Sequence, residues 1–186
     1  MLTHAHADHT GFAERARSNS STRIWVHGND VRTAKGSEAD PNEGPLGGYL
    51  RHAEAWRTLF GLLLHGGTRV IPILDVSAFS DGETLAIPGH PMVVHIPGHT
   101  DGMSALYAAD RSALFTGDGL VTRNPLTGRL GPQIMPRGLN RRSSQALESL
   151  GKLERIPAKL VLPGHGEPWS DGAESAVAAA RKSGFS

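Results

Sequence analysis

Cysteine is absent from the chain. Its absence excludes disulfides, thiolate metal sites and a catalytic thiol, and it removes redox chemistry as a clue to compartment. Neither sign of charge dominates, since the formal net charge is +1. A protein held to a polyanion by bulk charge is therefore not expected, nor is a long nucleic acid as partner. No apolar run approaches the length of a membrane-spanning helix. The amino terminus lacks the basic and apolar regions of a signal peptide. A cytoplasmic protein without a membrane partner is the expectation. Aromatic residues are scarce, at 5%, whereas histidines number ten. Histidine is accordingly where the chemistry should be sought.

The 186 residues suffice for one domain with a sizeable core, and no repeat, low-complexity tract or linker divides them. Period and punctuation predict alternating short strands and helices. "TRIWVH" (22–27) reads as a strand, with a short helix opening near Asn29–Asp30. Residues 36–47 are a loop rich in glycine, proline and acids. Residues 49–64 have helical spacing, with Leu50, Trp56, Leu59, Phe60 and Leu63 on an apolar side that would either cover a site or pack in the core. β-type runs follow in "RVIPIL", "TLAI", "MVVHI", "SALYAA", "SALFTG" and "KLVLPGHG", and helices are expected at Ser143–Leu153 and Ala173–Lys182. Strands inside, helices outside and loops bearing His or Asp at strand ends make an α/β layered architecture.

The opening "MLTHAHADHTG" carries the pattern His4-x-His6-x-Asp8-His9. In an extended segment residues two apart share a side, so His4 and His6 can hold one ion together. A turn after Ala7 would let Asp8 and His9 face a neighbouring position. Imidazole and carboxylate suit zinc, or iron or manganese where carboxylate shares the site. Three further segments repeat one design, an apolar strand, a glycine turn and then a side chain of ligand type. They bring His99 in "HIPGHTDG", Asp118 in "LFTGDGLV" and His165 in "LVLPGHGEP". Strand-end loops on a rigid scaffold are where functional groups concentrate.

With these motifs, in this order along essentially the whole chain, the sequence resembles the metallo-β-lactamase superfamily. The resemblance implies an αββα sandwich with a dinuclear metal site in a groove between its sheets. It implies that His4, His6 and His99 hold one divalent ion, that Asp8, His9 and His165 hold the other, and that Asp118 bridges both. Zinc is the expected metal, with iron or manganese as alternatives. It further implies that a metal-bridging hydroxide attacks the substrate and that Asp8 orients it as a catalytic residue. Thr3 and Thr100 adjoin ligands and either support them or simply pack. His27, His52, His65, His90 and His95 match no ligand position, with His52 the nearest to the presumed groove.

An aspartate at 118 resembles the hydroxyacylglutathione hydrolases, lactonases and phosphodiesterases of the family, whereas its β-lactamases place cysteine or serine there. The expected activity is hydrolysis of an ester, thioester or lactone of a small molecule. Phosphodiester hydrolysis of nucleotides or RNA ends is the alternative enzyme, and an inactive, truncated metal-binding relic is the alternative outside enzymes. Arg123, Arg129, Arg137, Arg141 and Arg142 would either meet an anionic substrate or remain solvated. The family places several strands before its His-rich motif and this sequence begins without them. An N-terminally incomplete first sheet, with His4 at a fraying terminus, is therefore expected.

Overall fold

The computed structural model describes residues 1–20, 22–68 and 70–185. The first segment, bent at Thr3–His4, is pinned on both sides rather than frayed. The Leu2 N–H donates to Trp25 O at 2.8 Å, and Thr3 O accepts from Ser104 N at 2.9 Å. Two short helices follow, α1 (Ala7–Thr10) and α2 (Ala13–Ser20). Strand β1 (Trp25–His27) passes through a 3-10 turn, Gly28–Asp30, into α3 (Val31–Ala34). After the acidic loop a second 3-10 turn, Gly47–Arg51, leads into α4 (Ala53–His65). Next come β2 (Ser77–Phe79), β3 (Met92–His95), β4 (Ser104–Ala108) and β5 (Ala113–Gly117). A pair of short strands, β6 (Val121–Arg123) and β7 (Leu130–Gln133), precedes α5 (Ser143–Leu153), β8 (Leu160–Pro163) and α6 (Gly172–Ser183).

The main sheet has the order β3-β4-β5-β8, antiparallel except for the parallel β5–β8 pair. Alternation along its strands assigns the two faces. Val94 and Ala105 join a core with Leu150 and Leu153 of α5 and Ala176, Val177 and Ala180 of α6. Their neighbours Val93 and Leu106 point the other way, to Phe79 of β2 and Leu85. The parallel β1–β2 pair forms the second layer. Beyond it, Val26 packs with Ala13 of α2 and Ala34 of α3. The layers are thus helix, sheet, sheet, helix, as the α/β reading expects.

Helix α5 has the predicted bounds because its buried residues Ser143, Ala146, Leu150 and Leu153 keep one face to the sheet. Its first N–H groups lack helical partners, and Glu43 supplies one, its Oε2 accepting from Ser143 N at 2.7 Å. Three expectations need correction. Residues 70–74 of "RVIPIL" form no strand, and Arg69 lies outside the described residues. "TLAI" contributes one isolated bridge, Thr84 to Met92, because the rest of the run finds no strand to pair with. The strands β2, β6 and β7 were not predicted; each is three or four residues long, too short to display a period. Among the described residues no helix is long and apolar enough to cross a membrane.

Candidate metal centre

Every segment bearing a predicted ligand ends at one edge of the sandwich. The pinned first segment delivers His4 at a bend, and His6 has extended backbone (φ −74°, ψ 154°) before α1 turns at Ala7. That turn groups Asp8 and His9 with His165, although the His9 ring also comes to 4.1 Å from that of His4. The loop after β3 presents His99, the turn after β5 presents Asp118, and the turn after β8 presents His165. Gly117 takes φ +48° just before Asp118. A Cβ on Gly164 would sit 2.2 Å from Asp118 Oδ1, so the β8 turn approaches the carboxylate as only glycine allows.

Asp118, 2% exposed, sits at the centre. Its Oδ2 lies 3.2 Å from His165 Nε2, 3.5 Å from His99 Nε2 and 4.0 Å from His4 Nε2, while its Oδ1 is 3.5 Å from His9 Nε2. His6 completes the cluster with its ring 4.8 Å from that of His4 and 4.6 Å from that of His99. Ligand-type atoms lie within 4.8 Å of one another in three groups: His4, His6 and His99; His4, His9 and Asp118; Asp8, His9 and His165. All seven predicted residues converge, and Asp118 stands between the two outer groups.

Neutral imidazoles and a carboxylate are a donor set that divalent ions accept. Burial lowers the pKa of His4 well below its usual 6.5, and that of His99 to about 4, so both rings are neutral at pH 7. Burial pushes Asp118 upward, but contacts from His165 and His9 and the proximity of His4 and His99 outweigh it and hold the carboxyl well below its usual range. His4 Nε2, His99 Nε2 and Asp118 Oδ1 are buried with no hydrogen-bond partner. Leaving such atoms unsatisfied costs ~1–3 kcal/mol each. A cation between them satisfies all three, and the residues therefore fit a metal.

Surrounding contacts fix how the rings face. Asn140 Nδ2 donates to Met135 O and Ser143 Oγ, so Asn140 Oδ1 accepts from His99 Nδ1 at 3.1 Å. The lone pair of His99 is then on Nε2, facing the cluster. On His6 the Nε2–H donates to Asp40 Oδ2 at 3.2 Å, which leaves Nδ1 free to coordinate. Asp40 also accepts from Arg141 at 2.8 Å, and Arg141 pairs with Asp101 at 3.1 Å. Burial alone would raise the Asp40 carboxyl, yet His6 and Arg141 hold it below its ordinary value. Neither Asn140 nor Asp40 was foreseen. Each lies in a loop, and no local signal marks it as a partner of a ligand.

Thr3 supports the cluster, its hydroxyl 3.2 Å from His4 Nδ1. Thr100 instead donates to Asp30 at 2.8 Å, and that buried carboxylate also accepts from Ala5 N and Gly102 N. Most of the expected groove arginines are paired: Arg123 with Glu54, Arg137 with Glu43, Arg141 with Asp40 and Asp101, and Arg142 with Asp101. Arg129 reaches Ser183 O at 3.4 Å. His52 meets Arg51 beside α4 and joins none of the three ligand groups. His27 and His95 stack on each other at 4.0 Å, remote from any ligand role, and burial followed by the charge of His95 brings His27 down to about 4.

A histidine–aspartate cluster at the strand ends of an αββα sandwich defines a metallo-β-lactamase-like protein. The family model of the metallo-beta-lactamase superfamily matches residues 1–165, and the chain belongs to that superfamily. It is 36% identical over 97 residues to a hydroxyacylglutathione hydrolase of Roseobacter denitrificans, covering 51% of this chain and 34% of that protein. The hydroxyacylglutathione hydrolase GloC of Haemophilus influenzae is 25% identical over 178 residues, 94% of this chain and 71% of its own length. Among solved structures, a metallo-beta-lactamase family protein of Thermus thermophilus superposes with a TM-score of 0.62 at 24% identity, covering 95% of this chain and 58% of that one. The protein TTHA1623 in a di-iron-bound form gives a TM-score of 0.58 at 26% identity, covering 93% and 72%. The chain thus spans from about a third to about seven tenths of the length of these relatives.

Proposed function

We propose that this protein hydrolyses an ester, thioester or lactone of a small molecule at a dinuclear metal centre. The observation that carries the reading is Asp118, buried among His4, His9, His99 and His165 with orphaned atoms directed at it. His4, His6 and His99 would hold one ion and Asp8, His9 and His165 the other, with Asp118 between them. When bound, the ions supply Lewis acidity and lower the pKa of a water from ~16 towards 7. The chain's own residues arrange the rest. Asn140 and Asp40 orient His99 and His6, and Asp8, an exposed residue lining the cavity, would orient the attacking water. The relatives named as hydroxyacylglutathione hydrolases favour a thioester, ester or lactone over a phosphodiester.

Elemental analysis of the purified protein, coupled to thioester, lactone and bis-aryl phosphodiester substrates, tests the reading. About two metal equivalents with turnover of a carbonyl substrate support it. Turnover of the phosphodiester alone overturns the substrate class, and a folded protein that takes up no metal overturns the hydrolase. The contact between Asp40 and His6 adds a second expectation. Asp40→Ala frees the His6 ring and weakens metal affinity about 10- to 100-fold, read by competition with a chromophoric chelator. An unchanged affinity would remove His6 from the ligand set.

A further inference from the structure

The metal cluster opens into a cavity of about 500 Å³, within the range of small-molecule sites (roughly 300–1,000 Å³). Its lining includes Leu46, Leu59, Leu62, Leu126, Met135 and Leu139, with Asn42, Tyr49 and Thr58 among its polar side chains. Helix α4 was expected either to cover a site or to pack in the core. Only Ala55 of it is buried, and with Thr58, Leu59 and Leu62 it forms one side of this cavity. Thr58 donates to Pro125 O and Glu54 pairs with Arg123, fastening the helix across the site.

Among the described residues no lysine or arginine lines the cavity, whereas Asp8, Glu38, Asp40 and Asp118 do. Arg123 and Arg141, each two positions along the chain from a lining residue, are held by Glu54 and by Asp40 and Asp101. Away from the ions that the histidines would hold, a carboxylate at the end of an arm would be desolvated among apolar side chains with no lysine or arginine of the described residues lining the cavity to receive it, which is unfavourable. An alkyl arm would bury itself against leucine and methionine.

We infer that the substrate carries an uncharged, apolar acyl arm that occupies this cavity, and that anionic arms such as a peptide's carboxylates are rejected. The inference rests on the carbonyl-hydrolase reading above and narrows its substrate. It sets this chain apart from relatives named for hydrolysing a glutathione conjugate, whose substrate bears free carboxylates.

The test uses the metal-loaded protein and p-nitrophenyl esters from acetyl to decanoyl, below their micellar concentrations, beside equal-length esters ending in a carboxylate. The kcat/KM is expected to rise about fourfold per methylene until the cavity fills, and to fall at least about tenfold when a terminal carboxylate replaces a methyl. Leu62→Lys should lower turnover of the decanoyl ester about tenfold more than that of the acetyl ester. Calorimetric binding of decanamide, which is not turned over, gives a readout independent of hydrolysis. Decanamide binding that Leu62→Lys abolishes supports the inference even where no ester is hydrolysed, in which case only the hydrolase reading fails. Esters hydrolysed at equal rates whatever the chain length or terminal charge, or no decanamide binding, overturn the inference and leave the hydrolase reading standing on its own turnover.

Discussion

Replacing Asp118 with alanine is expected to remove metal and activity together. Among the described residues the carboxylate is the one group that contacts imidazoles from every other ligand-bearing segment, those of His4, His9, His99 and His165. Without it, two cations a few ångströms apart would face each other with no intervening negative charge, and their repulsion in a buried site is severe. Metal content should drop from about two equivalents to one or none, and kcat/KM should fall by at least about a thousandfold, or ~4 kcal/mol of transition-state stabilisation. Asp118→Asn keeps the shape and removes the charge, so it separates packing from coordination. Both variants should lose metal and activity while keeping the far-ultraviolet dichroism of the parent. If Asp118→Asn retains two equivalents and full turnover, Asp118 does not bridge and the dinuclear assignment fails.

How far the sequence reveals this site depends on what kind of contact is involved. The ligand positions are readable because residue identity itself carries the chemistry and a glycine turn precedes three of them. The residues that aim the ligands are not. Asp40 lies 34 positions from His6, and Asn140 lies 41 from His99. An aspartate in an acidic loop and an asparagine before two arginines acquire meaning only once the chain has folded. The same division holds for the elements. Helix α5 was predicted to the residue because one face is wholly buried. In α4 the spacing identified a helix but not its environment: Trp56, Phe60 and Leu63 are exposed, at 44%, 58% and 56%, and the cavity is met by Ala55, Thr58, Leu59 and Leu62. Periodicity records that apolar residues share a side, and it is silent on whether protein, ligand or solvent lies opposite. "TLAI" has β-type residues yet gains one bridge, since a strand needs a partner edge as well as propensity.

The largest stability effect is expected at a position with no side chain. Gly98, adjoining His99, holds φ +133°, a region L residues rarely enter. It also lies directly against α5. A Cβ there would meet Ala146 N at 2.1 Å and Ala146 Cα at 2.5 Å. These are backbone atoms inside a helix, so no rotamer relieves the overlap. The loop is held in place as well, with Gly98 N donating to Thr100 O at 3.0 Å and Gly98 O accepting from Arg142 N at 2.8 Å. Gly98→Ala must therefore displace either the loop carrying His99 or the helix beneath it. The expected loss is ~3–5 kcal/mol, a fall in Tm of roughly 10 °C or more for a chain of this size. Gly82 supplies the comparison: its φ is +77° and a Cβ there meets nothing within 4 Å. Gly82→Ala carries conformational strain alone, about 1–2 kcal/mol. Calorimetric melts of the two variants separate steric overlap from strain. Because displacement of the loop moves His99, Gly98→Ala should also weaken metal binding, whereas Gly82→Ala should leave it unchanged. Equal Tm losses would mean that α5 yields to the added methyl and that the seat of His99 is not rigid.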